Sequence, residues 1–132
     1  VSPKNIFLRR HGAVILDAEC ATMGDACFDI AFCLNHLVLK SCHLPAYQER
    51  YLDYLQQFWD SYRAHICWEE PQELLRRTLK LLPALMLARI DGKSPVEYLD
   101  SGTANHIRQL SRQLLQHPAH DFNSFIYTVK SY

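Results

Sequence analysis

The stretch Val1-Ser2-Pro3-Lys4-Asn5-Ile6-Phe7-Leu8-Arg9-Arg10-His11-Gly12-Ala13-Val14-Ile15-Leu16-Asp17-Ala18-Glu19 is where the reading of this chain begins. Two short apolar runs, residues 5–9 and 13–16, flank Arg10-His11-Gly12. Strand-forming runs on either side of a glycine-containing turn predict a β-hairpin. Asn5 heads the first strand and Asp17 stands at the exit of the second, so a hairpin brings an amide and a carboxylate to the same end. Both are hard oxygen donors of the kind that suits Mg²⁺, which keeps several waters and shares itself with substrate phosphates. A turn-capping Asn and an Asp closing a strand are the plain structural roles for the same residue types.

Outward from the hairpin, residues 20–25 contain Gly24 and predict a loop, with Asp25 placed to accept N–H groups of the next helix. That helix, residues 26–39, is apolar nearly all round, as a central helix would be. Asp29 lies within it, and a carboxylate in such a place needs donors. Pro45 opens an amphipathic helix to about residue 66, with Tyr47, Tyr51, Leu55, Phe58 and Tyr62 at helical spacing. Pro71 fits the first turn of a third helix through Ile90, which Pro83 is expected to kink or divide. Gly92 is expected to end it in the left-handed conformation. Residues 96–99 suggest a helical turn, Ser101 a cap for a helix to residue 115, and Asp121 the start of a last one to residue 129.

The 132 residues fit one domain with a real core, and 48% hydrophobic with 11% aromatic content describes an ordinary globular chain. Fourteen basic residues balance fourteen acidic ones without a basic stripe, which argues against a nucleic-acid partner. No apolar run approaches the length of a membrane span, so no membrane partner is expected. The five cysteines lack CxxC spacing and read as reduced thiols, which points to the cytoplasm. The seven histidines show no i, i+4 metal pairing, and His36 reads as a core or cleft-edge residue.

Three segments share an order and spacing: Val1-Ser2-Pro3-Lys4-Asn5, Leu16-Asp17-Ala18-Glu19 and Gly24-Asp25-Ala26-Cys27-Phe28-Asp29-Ile30-Ala31. An Asn and an Asp so arranged match the metal-holding half of a kinase-type phosphoryl-transfer site. The segments resemble the aminoglycoside phosphotransferase and choline kinase family, which is similar to the protein kinases in fold. Its signatures are a His-Gly-Asp-x-x-x-x-Asn loop, an Ile-Asp-x-Glu segment and a Gly-Asp-Pro-x-x-Asp-hydrophobic segment. Ala26 stands where the family often has Pro. Ala88-Arg89-Ile90-Asp91-Gly92-Lys93-Ser94-Pro95-Val96-Glu97-Tyr98-Leu99 is also similar to a stretch of bacterial members.

The resemblance covers the whole chain as a C-terminal lobe. It implies a mainly α structure with a short N-terminal β-hairpin, the C-terminal lobe of a protein-kinase-like α+β fold. Residues 1–19 would be the end of the catalytic loop with the metal-binding hairpin, and residues 20–132 the helical subdomain. The implied activity is ATP-dependent transfer of the γ-phosphoryl group to a hydroxyl of a small molecule. Asn5 and Asp17 would bind Mg²⁺ and through it the nucleotide, Glu19 is a further metal candidate, and Asp29 would brace the catalytic loop. The catalytic base, the Asp of His-Gly-Asp, is expected just before Val1. The chain is therefore expected to be a fragment whose partner is a missing N-terminal lobe, inactive by itself and prone to self-association. The helices after the hairpin would build the acceptor pocket, where Asp53, Asp60, Glu69 and Glu70 could meet a cationic acceptor. The other reading is a non-catalytic helical binding or scaffold module derived from a kinase fold; an upstream His-Gly-Asp would separate the two.

Overall fold

A short 3₁₀ turn, Pro3–Asn5, leads into an antiparallel hairpin of β1, Ile6–Arg9, and β2, Gly12–Ile15, in a computed structural model that describes residues 3–18 and 21–132. Ile6 pairs with Ile15, Phe7 with Val14, Leu8 with Ala13 and Arg9 with Gly12. This is the hairpin expected from the sequence, with each strand placed one residue differently. Gly12 enters β2 rather than staying in the turn, at φ +133°, a conformation that L side chains rarely adopt. No strand residue is buried. The expected role of Glu19 lies outside the described residues, as do Val1, Ser2 and Cys20.

The core belongs to the helices. α1, Cys27–His43, packs on α2, Gln48–Arg63, and on α3, Pro71–Asp91, and it also touches α4, Ser101–Gln116. α3 packs on α4, and the short α5, Phe122–Ser131, completes the body. The chain is thus mainly helical with a two-stranded antiparallel sheet at its N-terminus. Ile30, Leu34, Leu52, Leu55, Leu79, Leu82, Met86, Ile107, Leu110 and Phe125 are buried at the centre. Each such side chain contributes about 1.5–3 kcal/mol of burial free energy, which places the stability in the helical body. Trp59 of α2 stacks on Phe122 of α5 with ring centroids 6.2 Å apart.

Several local expectations are corrected. α1 runs a turn past residue 39 because buried Ser41 donates its hydroxyl to the Val38 carbonyl at 2.8 Å, so a polar residue does not interrupt it. The segment after Pro45 begins as a separate 3₁₀ turn, Pro45–Tyr47, and Tyr47 is exposed. α3 is one continuous helix through the buried Pro83. Asp100, not Ser101, caps α4: its carboxylate accepts from the Thr103 N–H at 2.9 Å and from the Thr103 hydroxyl at 2.7 Å. Residues 97–98 form a turn rather than a helical piece. Asp121 does cap α5, in a reciprocal box with Ser124. No described helix is long and apolar enough to cross a membrane.

Candidate functional site

The two ends of the hairpin are tied together at the point where the sequence puts Asn5 and Asp17. The Leu16 N–H donates to the Asn5 carbonyl at 2.8 Å, extending the ladder by one rung. Beyond it the Asn5 side-chain amide donates to the Asp17 carboxylate at 2.9 Å, across twelve residues of sequence. Asp17 takes φ +62°, alone among the described non-glycine residues in adopting a positive φ. Asp and Asn tolerate this left-handed conformation better than other residues, though it still costs about 1–2 kcal/mol. The turn takes the chain out of the strand at the residue that carries the carboxylate. Strained backbone of this kind concentrates at functional sites.

Asn5 and Asp17 open onto a cavity of about 570 Å³ between the hairpin, the first turns of α1 and the segment after α3. Asp29 lines the same cavity, so the structure brings together the three described residues that the sequence singled out. The expectation of a carboxylate enclosed by an apolar helix is corrected: Asp29 is exposed. α1 is two-sided. Ile30, Ala31, Leu34 and Val38 pack into the core, while Phe28, Asp29, Phe32 and His36 face the cavity. His36 is therefore the cleft-edge residue foreseen.

Asp25 is held more firmly. Arg77 of α3 donates Nε to Asp25 Oδ2 at 2.8 Å and Nη2 to Oδ1 at 3.0 Å, and Nη2 also reaches Glu69 at 2.8 Å. The Cys27 N–H donates to Asp25 Oδ1 at 3.0 Å, the first-turn contact expected of it. The Arg77 bonds, with that from the Cys27 N–H, lower the Asp25 pKa to about 2. Asp25 thus fixes the start of α1, and with it the cavity wall, against α3. Glu69 is used up in this pairing and Asp60 pairs with Arg63 at 3.0 Å. Neither these acids nor Asp53 and Glu70 line the cavity.

Lys4, Arg89 and Ser94 also line the cavity, and sequence reasoning did not single them out as site residues. For Arg89 and Ser94 the signal was the segment around Gly92. A Cβ on Gly92 would lie 2.3 Å from the Ala88 carbonyl oxygen, so only glycine lets the chain fold back over the end of α3. The returning segment of this loop is fixed by the Val96 N–H on the Arg89 carbonyl at 2.9 Å, and Arg89 Nη1 donates to the Ser94 hydroxyl at 3.1 Å. Gly92 itself stands at φ −87°, ψ −171°, so its role is this close approach and not the expected left-handed cap.

As a metal centre, the Asn5–Asp17 end supplies one carboxylate and one amide, and among the described residues no three His, Cys, Asp or Glu side chains converge as a cluster. A set this sparse fits Mg²⁺, which is held through one or two protein groups with water and phosphate oxygens completing its shell. It does not fit the closed four-ligand shell of structural zinc. No family model, curated protein or solved structure matches this chain.

Proposed function

We propose that this chain is the C-terminal lobe of an ATP-dependent phosphotransferase that acts on a hydroxyl of a small molecule, similar to the aminoglycoside phosphotransferases and choline kinases. The observation that carries this reading is the meeting of Asn5 and Asp17 at 2.9 Å on the rim of a cavity that Asp29 also lines. Asn5 and Asp17 would be the residues that hold Mg²⁺ for the nucleotide. When bound, the ion neutralises charge on the phosphates and aligns the group to be transferred. The residues themselves position. The Asn5 amide keeps the Asp17 carboxylate at the hairpin mouth, and the left-handed turn at Asp17 fixes its direction. Asp25, through Arg77, holds the start of α1 so that Asp29 stays on the cavity. On this reading the general base and the nucleotide-covering lobe are outside these residues, and the chain alone does not turn over ATP.

The test is Mn²⁺, as a paramagnetic stand-in for Mg²⁺, titrated into the isotope-labelled chain. Resonances of Asn5, Asp17 and their neighbours should broaden first, and excess Mg²⁺ should reverse the effect. Asp17→Asn keeps a residue that tolerates positive φ while removing the charge, and it should weaken the binding by about tenfold or more. Broadening that ignores the hairpin mouth, or that is unchanged in Asp17→Asn, would sink the metal role and with it the kinase reading.

A further inference from the structure

The cavity has a second end that the metal reading does not use. Phe28, Phe32 and His36 follow one another along the exposed side of α1, at i, i+4 and i+8. Phe28 and Phe32 stack at 5.9 Å, and Phe32 meets His36 edge-on at 5.3 Å. This aromatic ladder forms a wall that starts beside the acidic residues and finishes among basic ones. From Asp29 to His36 is two helical turns, about 10 Å. At the far end stand His36 and Arg89, the latter steadied by the Ser94 hydroxyl. Burial lowers the His36 pKa, and the Arg89, Lys4 and Lys40 charges lower it further; Lys4 and Arg89 line the same cavity as His36. The Arg89 Nε–H is buried without a hydrogen-bond partner. A planar guanidinium that anchors through one Nη is suited to an oxyanion, which it engages in a fork.

At the other end, Asp25 pairs with Arg77, which it shares with Glu69, Asp17 is the residue assigned to Mg²⁺, and Asp29 also lines the cavity. An amine at the basic end of this cavity would meet Lys4 and Arg89, while the carboxylates of the lining are Asp17, Asp25 and Asp29.

We propose that Lys4, His36 and Arg89, with the Ser94 hydroxyl, form an oxyanion subsite for a carboxylate or phosphate carried by the hydroxyl acceptor. The proposal rests on the phosphotransferase reading for the word acceptor, and the subsite itself is testable without metal or turnover. The hydroxyl of such an acceptor would point along the aromatic wall toward Asp17 while its acidic group lies at the basic end.

The experiment titrates the labelled chain, free of metal, with glycerol 3-phosphate and glycerate as acids, choline and kanamycin as amines, and inorganic phosphate. The two acids should move the His36 and Arg89 side-chain resonances. Arg89→Gln and, independently, the surface variant Lys4→Gln should each weaken acid binding by about tenfold. Asp17→Asn should leave acid binding intact while weakening the Mn²⁺ response. Choline or kanamycin moving these resonances while the acids do not would overturn the proposal. So would acid binding unchanged in both Arg89→Gln and Lys4→Gln. Inorganic phosphate binding as tightly as glycerol 3-phosphate would overturn the acceptor assignment in favour of a free-anion site. Acid binding lost with Mn²⁺ binding retained rejects this inference alone, and the opposite pattern rejects the metal reading alone.

Discussion

Asp17, Asp25 and Gly92 show how much one residue fixes here, and each does so by a different force. Asp17 acts through backbone geometry, turning the chain at φ +62° so that its carboxylate meets Asn5. Gly92 acts through the absence of a side chain. In Gly92→Ala the new methyl would sit 2.3 Å from the Ala88 carbonyl oxygen, and the neighbour is helix backbone that cannot move aside cheaply. Thermal or urea unfolding of Gly92→Ala should show a loss on the order of 1–3 kcal/mol, the range for overpacking, with resonance changes concentrated at Arg89 and Ser94. Unchanged stability would mean that the loop repacks freely. Asp25 acts through charge. Its folded pKa, about 2, lies below the ordinary 3.8, so its contribution is complete above about pH 4 and is lost as pH falls toward 2. The side chain is 45% exposed and its pairing is screened, which limits the contribution to about 1 kcal/mol or less. Asp25→Asn should therefore unfold at a lower temperature than the parent at pH 6, and the gap should close near pH 2. A gap that persists at pH 2 would show that packing, not charge, carries the effect.

At the scale of elements, what could be read from the sequence was what is encoded locally. The helices follow from apolar spacing: Leu74, Leu75, Leu79, Leu82 and Met86 of α3 and Ile107, Leu110 and Leu114 of α4 are buried as their spacing requires. The Asp121 cap was legible because nothing beside it competes, whereas Asp100 and Ser101 are adjacent and both good caps. The choice fell to Asp100 because Thr103 offers it a second donor. Asn5 and Asp17 could be paired from the sequence because a hairpin has simple geometry. The open side of α1 could not, since an apolar helix next to a loop looks the same whether a neighbour covers it or a cavity adjoins it. Lys4, His36 and Arg89 are brought together by three segments far apart in the chain, and no spacing rule encodes that. The same contrast between local and long-range support predicts unequal stability. A two-stranded hairpin without buried residues is marginal by itself, while α1, α3 and α4 share the core. Hydrogen exchange should show hairpin amides exchanging through local opening, well before the central amides of α1 and α3. Equal protection in the two regions would show that the hairpin folds and unfolds with the helical body.

Over the whole molecule, charge and apolar surface are distributed very differently. Fourteen basic and fourteen acidic residues cancel, and many are spent in exposed pairs such as Arg108 with Asp91 and Arg63 with Asp60. Apolar surface instead collects at the hairpin. Leu8 is 85% exposed and Phe7 57%, on opposite faces of β1, with Ile15 and Leu16 also exposed. Both strands are edges as well, since the sheet has only two. Exposed apolar side chains on an unpaired edge are the combination that favours strand-to-strand association. The near-zero net charge provides no general repulsion to oppose it. The chain as given should therefore self-associate with increasing concentration in light scattering, and Leu8→Asp should shift the association to higher concentration. The substitution removes apolar surface and adds a charge where the side chain touches little else, so it should leave the helical circular dichroism and thermal midpoint nearly unchanged. A parent chain that stays monomeric over the same range would mean that the hairpin's apolar faces are covered within one molecule in solution. Association unaffected by Leu8→Asp would move the contact to another surface, with the exposed Tyr127 on α5 the next to substitute.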